Sequence, residues 1–128
     1  MSKVVTIELD VVGLTFHTKR SARQALADRI EREGPIEGMR FEREPTNPKD
    51  ANAIKVLLPL DLLSGLWIGH LRASAVERLA PKVDAGQVEF VDAALVALNE
   101  VNDYGDGTLE VTLRDNRPAA KQGAKPDR

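Results

Sequence analysis

The sequence of 128 residues contains no cysteine. Without thiols the chain cannot build a disulfide scaffold, a thiolate zinc site, an iron–sulfur cluster or a cysteine nucleophile. Aromatic residues are scarce, with one Trp, one Tyr and three Phe, and there are two histidines, His17 and His70. No apolar run approaches the roughly 20 residues of a membrane span. Met1 to Val5 carry Lys3 but no apolar leader segment. These absences predict a cytoplasmic protein with no membrane partner. No Gly-x-Ser-x-Gly elbow, phosphate-cradling glycine loop or paired-histidine helix is present, so no catalytic constellation and no cofactor are expected. A chain this short supports one hydrophobic core rather than two.

The excess of acid is small, with 18 Lys+Arg against 20 Asp+Glu and a formal charge of −2, but it is unevenly spread. Residues 1–83 hold 13 basic and 11 acidic groups, residues 84–116 hold one and eight, and residues 117–128 hold four and one. Fields act locally, because salt screens them within about 8–10 Å. The body without its last twelve residues carries −5. That argues against a protein that coats long DNA by counterion release and leaves room for a short contact. Lys19, Arg20, Arg23, Arg29 and Arg32 form one basic run, while Arg40, Arg43, Lys49, Lys55 and Arg72 are the alternative phosphate track.

Val4 to Phe16 sets Val5, Ile7, Leu9 and Val11 against Thr6, Glu8 and Asp10, then shifts phase to Val12, Leu14 and Phe16. The pattern predicts a long strand bulged beside Gly13. Ser21 is the predicted cap of a helix with Ala22, Ala25, Leu26 and Ile30 on its apolar stripe, stopped by Gly34-Pro35. Strands are predicted over Ile36–Glu44, Ala53–Leu58, Leu66–Leu71, Val88–Leu98 and Thr108–Leu113, with an irregular connection at Leu60–Gly65 and an acidic turn from Asn99 to Gly107. Ser74-Ala75-Val76-Glu77 reads as a capping box opening a second helix, which Pro81 should bend or interrupt before Gly86 closes it. Residues 1–116 are the expected domain, and residues 117–128 an expected disordered polar tail. Six strands and two short helices point to a small barrel or a strongly curled sheet.

Arg43 to Asn52 is the most specific stretch. By itself it reads as a turn-rich hairpin connection in which Asn47, Asp50 and Asn52 bond their own backbone and Lys49 is solvated. His70 reads as a half-buried histidine hydrogen-bonded to backbone, with a base beside Asp50 as the alternative. Phe16 reads either as core or as a stacking ring, and Trp67 and Ile68 alternate, so that one of them faces out.

Taken in order, Val12-Gly13-Leu14-Thr15-Phe16, then the run from Arg43-Glu44-Pro45 to Ala53-Ile54-Lys55-Val56, then Ile68-Gly69-His70-Leu71 ahead of a helix, the sequence resembles a HIRAN domain over about residues 4–115. Such domains stand at the N-terminus of fork-remodelling ATPases, and bacterial copies also stand alone. The resemblance implies a mainly β fold, a small OB-like β-barrel, that binds single-stranded DNA at its 3′ end in DNA repair or replication-fork processing. A helicase or nuclease encoded elsewhere is the implied partner. By position, Phe16 matches a base-stacking aromatic, Asn47 and Asp50 match polar residues around the terminal nucleotide, and His70 matches a residue at phosphate and sugar. Thr15 stands where fork-remodelling members carry a basic residue, Lys49 where the animal remodellers carry tyrosine, and Thr46 where a second asparagine occurs. Together with Arg72 of the phosphate track, Thr15, Phe16, Asn47, Lys49, Asp50 and His70 are the candidate DNA contacts. Two other classes also fit these residues. One is a protein-interaction domain that has lost end recognition, suggested by Lys49, Thr46 and the acidic 84–116 segment. The other is a metal-assisted phosphoester hydrolase built on Asp50 and His70, with His17 as a third ligand.

Overall fold

The first strand, β1, runs from Lys3 to Val12 and stops because Gly13 takes a left-handed conformation (φ +78°) that turns the chain out of the sheet. The computed structural model describes residues 3–99 and 105–117; residues 100–104 of the expected acidic turn and the expected tail from residue 118 lie outside them. Past Gly13 the second half of the predicted strand is instead one helical turn, α1 (Leu14–His17). The change of apolar phase marked this turn and not a bulge. Leu14 drops into the core at 1% exposure, and its carbonyl accepts the Thr18 hydroxyl at 2.6 Å.

Helix α2 (Arg20–Glu33) begins one residue before the predicted cap Ser21, with the Lys19 carbonyl accepting the Ala22 and Arg23 amides and no side-chain cap. Of its predicted stripe only Leu26 is buried; Ala25 is exposed. The predicted strand 36–44 is split in two, β2 (Ile36–Glu37) and β3 (Arg40–Arg43), by Gly38 at φ +79°. Then follow β4 (Ile54–Leu57), a connection with a single 3₁₀ turn at Leu63–Gly65, β5 (Trp67–Leu71), α3 (Ala73–Asp84), β6 (Val88–Asn99) and β7 (Asp106–Asp115). The capping box is not used: α3 starts at Ala73, with the Arg72 carbonyl accepting the Ala75 and Val76 amides. Pro81 does not interrupt it either. The helix ends in a Schellman pair, Gly86 N–H to Val83 O and Gln87 N–H to Lys82 O, closed by Gly86 at φ +73°.

Among the described residues there are thus seven strands and three helices, in the order β2-β6-β7-β1-β5-β4-β3, all neighbours antiparallel. The extra strand comes from the split at Gly38, and the extra helix from the turn after Gly13. The long ribbon β1-β7-β6 is tied to the short sheet β5-β4-β3 through Val11 and Val12, which pair with Leu71 and His70 on one side and with Gly107 and Asp106 on the other. The curl nearly closes where Met39 N–H bonds to Ala93 O and Phe41 lies 4.4 Å from Phe90, ring to ring. Inside sit Val11, Leu14, Leu26, Ile36, Ile54, Val56, Leu58, Ile68, Leu95, Leu109 and Val111, each at 1% exposure or less. The alternation Leu109, Val111, Leu113 faces inward as predicted. This is a mainly β, OB-like half-barrel, and no described helix is long and apolar enough to cross a membrane.

Candidate nucleic-acid interface

The site begins with a defect in pairing. Val56 pairs with Gly69 and Leu57 with Trp67, so β5 carries one extra residue, Ile68, at this point. In a regular strand residues three apart point to opposite faces. The bulge puts Trp67 and His70 on the same face, that of Lys55, which pairs with His70, while Ile68 stays fully buried. The Trp67 indole N–H turns back to the Gly69 carbonyl at 2.9 Å, which fixes the ring. Gly13 and α1 then bring a third ring over: His17 stacks on Trp67 at 4.0 Å and meets His70 edge-on at 5.6 Å. Lys55 Nζ sits 4.3 Å from the centre of the Trp67 ring, a cation–π contact.

The loop between β3 and β4 closes the other side. Glu44 N–H bonds to Ala53 O, Asn47 N–H to Glu44 O and Ala53 N–H to Asp50 O. The Asn47 side-chain oxygen accepts the amides of Lys49 (2.8 Å) and Asp50 (3.2 Å), and one Asp50 oxygen accepts the Asn52 amide at 2.9 Å. The two residues therefore build the loop from within, as asparagine and aspartate do in Asx turns. Arg43 braces it from below, its guanidinium donating to the Ala51 and Ala53 carbonyls and, as a fork, to both oxygens of Asp84 on α3.

Glu44 joins loop and strand. One of its oxygens accepts His70 Nε2 at 2.6 Å and Asn47 Nδ2 at 3.3 Å, and the other lies 3.6 Å from Lys55 Nζ. Burial pushes the Glu44 carboxyl up, but the hydrogen bonds from His70 and Asn47 and the charge of Lys55 outweigh it and hold the group below its ordinary value. An ionised carboxylate only accepts hydrogen bonds, so His70 Nε2 is the donor. Burial, helped by His70 and Lys55 and opposed by Glu44, lowers His17 below 6.5.

These shifts set a sign for stability against pH. The folded state resists protonation of His17 and of Glu44, so the unfolded chain binds more protons below 6.5, and again below 4.5. Stability is full above 6.5 and falls as the pH drops, more steeply below 4.5. Melting temperatures read at half-unit steps should show both breaks, and His17→Gln should flatten the first. A melting temperature independent of pH between 6.5 and 4.5 contradicts the assignment.

The candidate residues are not all gathered here. Phe16 stands next to His17 on α1, 69% exposed, so the core reading does not hold for it. Thr15, its neighbour, lies beside Gly105. Asn47 and His70 meet through Glu44; Asp50 is half-buried in the same loop and Lys49 exposed on it. Arg72 is drawn off to Asp10 (3.0 Å) and Asp106 (3.5 Å). Arg40 of the phosphate track spends its donors on the Leu58 and Gly65 carbonyls, as Arg43 does on the loop. His70 bonds to the Glu44 carboxylate and not, as expected, to backbone, and the hydrolase pairing does not form either, since Asp50 turns one oxygen to Asn52. The sequence pattern does not single out Glu44, and it assigns Trp67, His17 and Lys55 to other roles. Only the Glu44-Pro45 step in the motif run hinted at the first.

Comparison with known proteins agrees with this architecture. The family model of the HIRAN domain matches residues 4–112. The crystal structure of the HIRAN domain of human HLTF superposes with a TM-score of 0.63 at 23% identity, covering 91% of this chain and 81% of that chain. The crystal structure of a Lactobacillus plantarum protein superposes with a TM-score of 0.54 at 18% identity, covering 88% of this chain and 98% of that one. No curated protein matches the chain by sequence. The chain belongs to the HIRAN domain family, a family of DNA-binding modules.

Proposed function

We propose that this domain binds a short stretch of single-stranded DNA and takes its 3′ end. The observation that carries the reading is the placement of Phe16, a large ring 69% exposed on α1, at the border of the half-buried His17–Trp67–His70 cluster. A mostly exposed aromatic ring on the α1 turn offers a face to any base. Lys19 and Arg20, exposed three and four residues further on, supply cations for the adjoining phosphates. The acids of the site favour an end over a continuous backbone. Asp50 uses one oxygen on the loop and has a second, which repels a phosphate but accepts a hydrogen bond from a hydroxyl. Thr15, Asn47, Lys49 and Arg72 are the remaining proposed contacts, with Asn47 acting through the loop it holds.

Fluorescence anisotropy with a short labelled strand tests this directly. A strand ending in a free 3′-hydroxyl should bind more tightly than the same strand with a 3′-phosphate, and Asp50→Ala should erase the difference. Equal affinity for both ends, in the unmodified protein, removes end recognition while leaving strand binding in place.

A further inference from the structure

The Glu44 carboxylate is 21% exposed and sits under the proposed site, where a negative charge works against DNA phosphates. Its partners explain why it is there. It holds three groups from three parts of the chain: His70 from β5, Lys55 from β4, and Asn47 from the loop. Asn47 in turn carries the Lys49 and Asp50 amides, so one carboxylate sets both the ring of His70 and the turn that presents Asp50. Because Nε2 is committed to Glu44, the other ring nitrogen, Nδ1, is the one left to meet a ligand. With the proton on Nε2, Nδ1 of the neutral ring carries a lone pair and accepts a hydrogen bond.

We propose that Glu44 is a positioning residue of the site: it fixes His70 as the Nε2–H tautomer, so that Nδ1 faces the ligand as an acceptor for a nucleotide hydroxyl. The inference rests on the DNA reading above and adds to it the group that selects the chemistry of His70. Glu44 touches no DNA itself. Its carboxylate orients His70 as a backbone carbonyl or carboxylate orients a histidine that binds metal. Lys55, 3.6 Å away, offsets part of the Glu44 charge beside a strand end.

The tautomer is read from nitrogen-15 spectra of the free protein in which both ring nitrogens of His70 are assigned. The expected signature is a protonated Nε2 and an unprotonated Nδ1, giving way to a mixture in Glu44→Gln. A proton on Nδ1, or an unchanged single tautomer in Glu44→Gln, overturns the inference. The second measurement is a double-mutant cycle on a hydroxyl-ended single strand, with thermal melts as the check on folding. Glu44→Gln and His70→Ala should each weaken binding by about tenfold. The double variant should be no weaker than His70→Ala alone, because glutamine keeps a side-chain oxygen for Asn47 and the part of Glu44 that it removes acts through the His70 ring. Multiplying losses overturn the positioning role and leave the DNA reading standing. No binding by the unmodified protein overturns the DNA reading and the inference with it.

Discussion

Phe16→Leu should weaken binding of a short single strand by about 5- to 150-fold, the equivalent of the roughly 1–3 kcal/mol that one base–aromatic stack contributes. The melting temperature should stay where it is. Leucine keeps an apolar side chain on the turn but removes the flat face, so the substitution isolates stacking from hydrophobicity. The ring is 69% exposed and Leu14, two residues earlier, is the residue of α1 that fills the core. An exposed substitution away from caps and special backbone normally changes stability by less than about 0.5 kcal/mol. Leu14→Ala is the contrast: it empties a site at 1% exposure and should cost about 2–5 kcal/mol without touching the stacking surface. Unchanged affinity in Phe16→Leu takes stacking away from this ring. A large fall in melting temperature would instead return Phe16 to a packing role.

The two readings of Phe16 show where the sequence was legible and where it was not. Alternation placed Leu109, Val111 and Leu113 inward, because a half-buried strand has only two faces and the pattern names one of them. At Leu14 and Phe16 the same two-residue spacing meant something else. Gly13 at φ +78° had already turned the chain, so the residues belong to a helical turn on which they point apart, one into the core and one into water. A glycine that merely weakens a strand and one that ends it look the same in sequence. The helix starts differ from the pattern for a related reason: Ser21 and Ser74 have the right chemistry for caps, but the Lys19 and Arg72 carbonyls take the first amides two residues earlier in each case.

The site divides in the same way. Its loop was legible, since proline, asparagine and aspartate act on their own neighbours, and the Asn47, Asp50 and Asn52 bonds are local. The ring cluster was not. Trp67 and His70 share a face only because of the extra residue in β5, which depends on the β4 register, and His17 reaches them only through the turn after Gly13. Glu44 binds a histidine 26 positions away, a distance at which spacing carries no information. The basic residues mislead in the opposite direction. Arg40 and Arg43 look like a phosphate track in sequence, yet both are spent on backbone carbonyls, where they fasten the two loops of the short sheet. The few exposed cations near the site fit a short contact with a weak salt slope better than a long tract.

Gly69→Ala should be the most damaging single-methyl change in the protein, costing about 3 kcal/mol or more and about 10–20 °C in melting temperature. The reason is space and not backbone angle. Gly69 does not have a positive φ, but a Cβ there would lie closer than 3.0 Å to the Val12 carbonyl oxygen and at 3.0 Å from Val11 Cγ2. The obstacle is backbone that already pairs with β7 on its far side, so it cannot swing away as a side chain would. Gly86→Ala is the control for the other mechanism. Nothing lies within 4 Å of a Cβ there, while φ is +73°, so the cost is conformational and about 1–2 kcal/mol. The pair should therefore separate by their consequences as well as by size. Alanine at position 86 strains the end of α3 and should leave strand binding intact. Alanine at position 69 pushes β5 off β1 and moves Trp67 and His70 with it, so affinity should fall even at temperatures where the variant is folded. Equal melting temperatures for the two variants, or full binding by folded Gly69→Ala, would mean that β5 can move away from Val12 without disturbing the rings, contrary to the close packing that unites the two halves of the sheet.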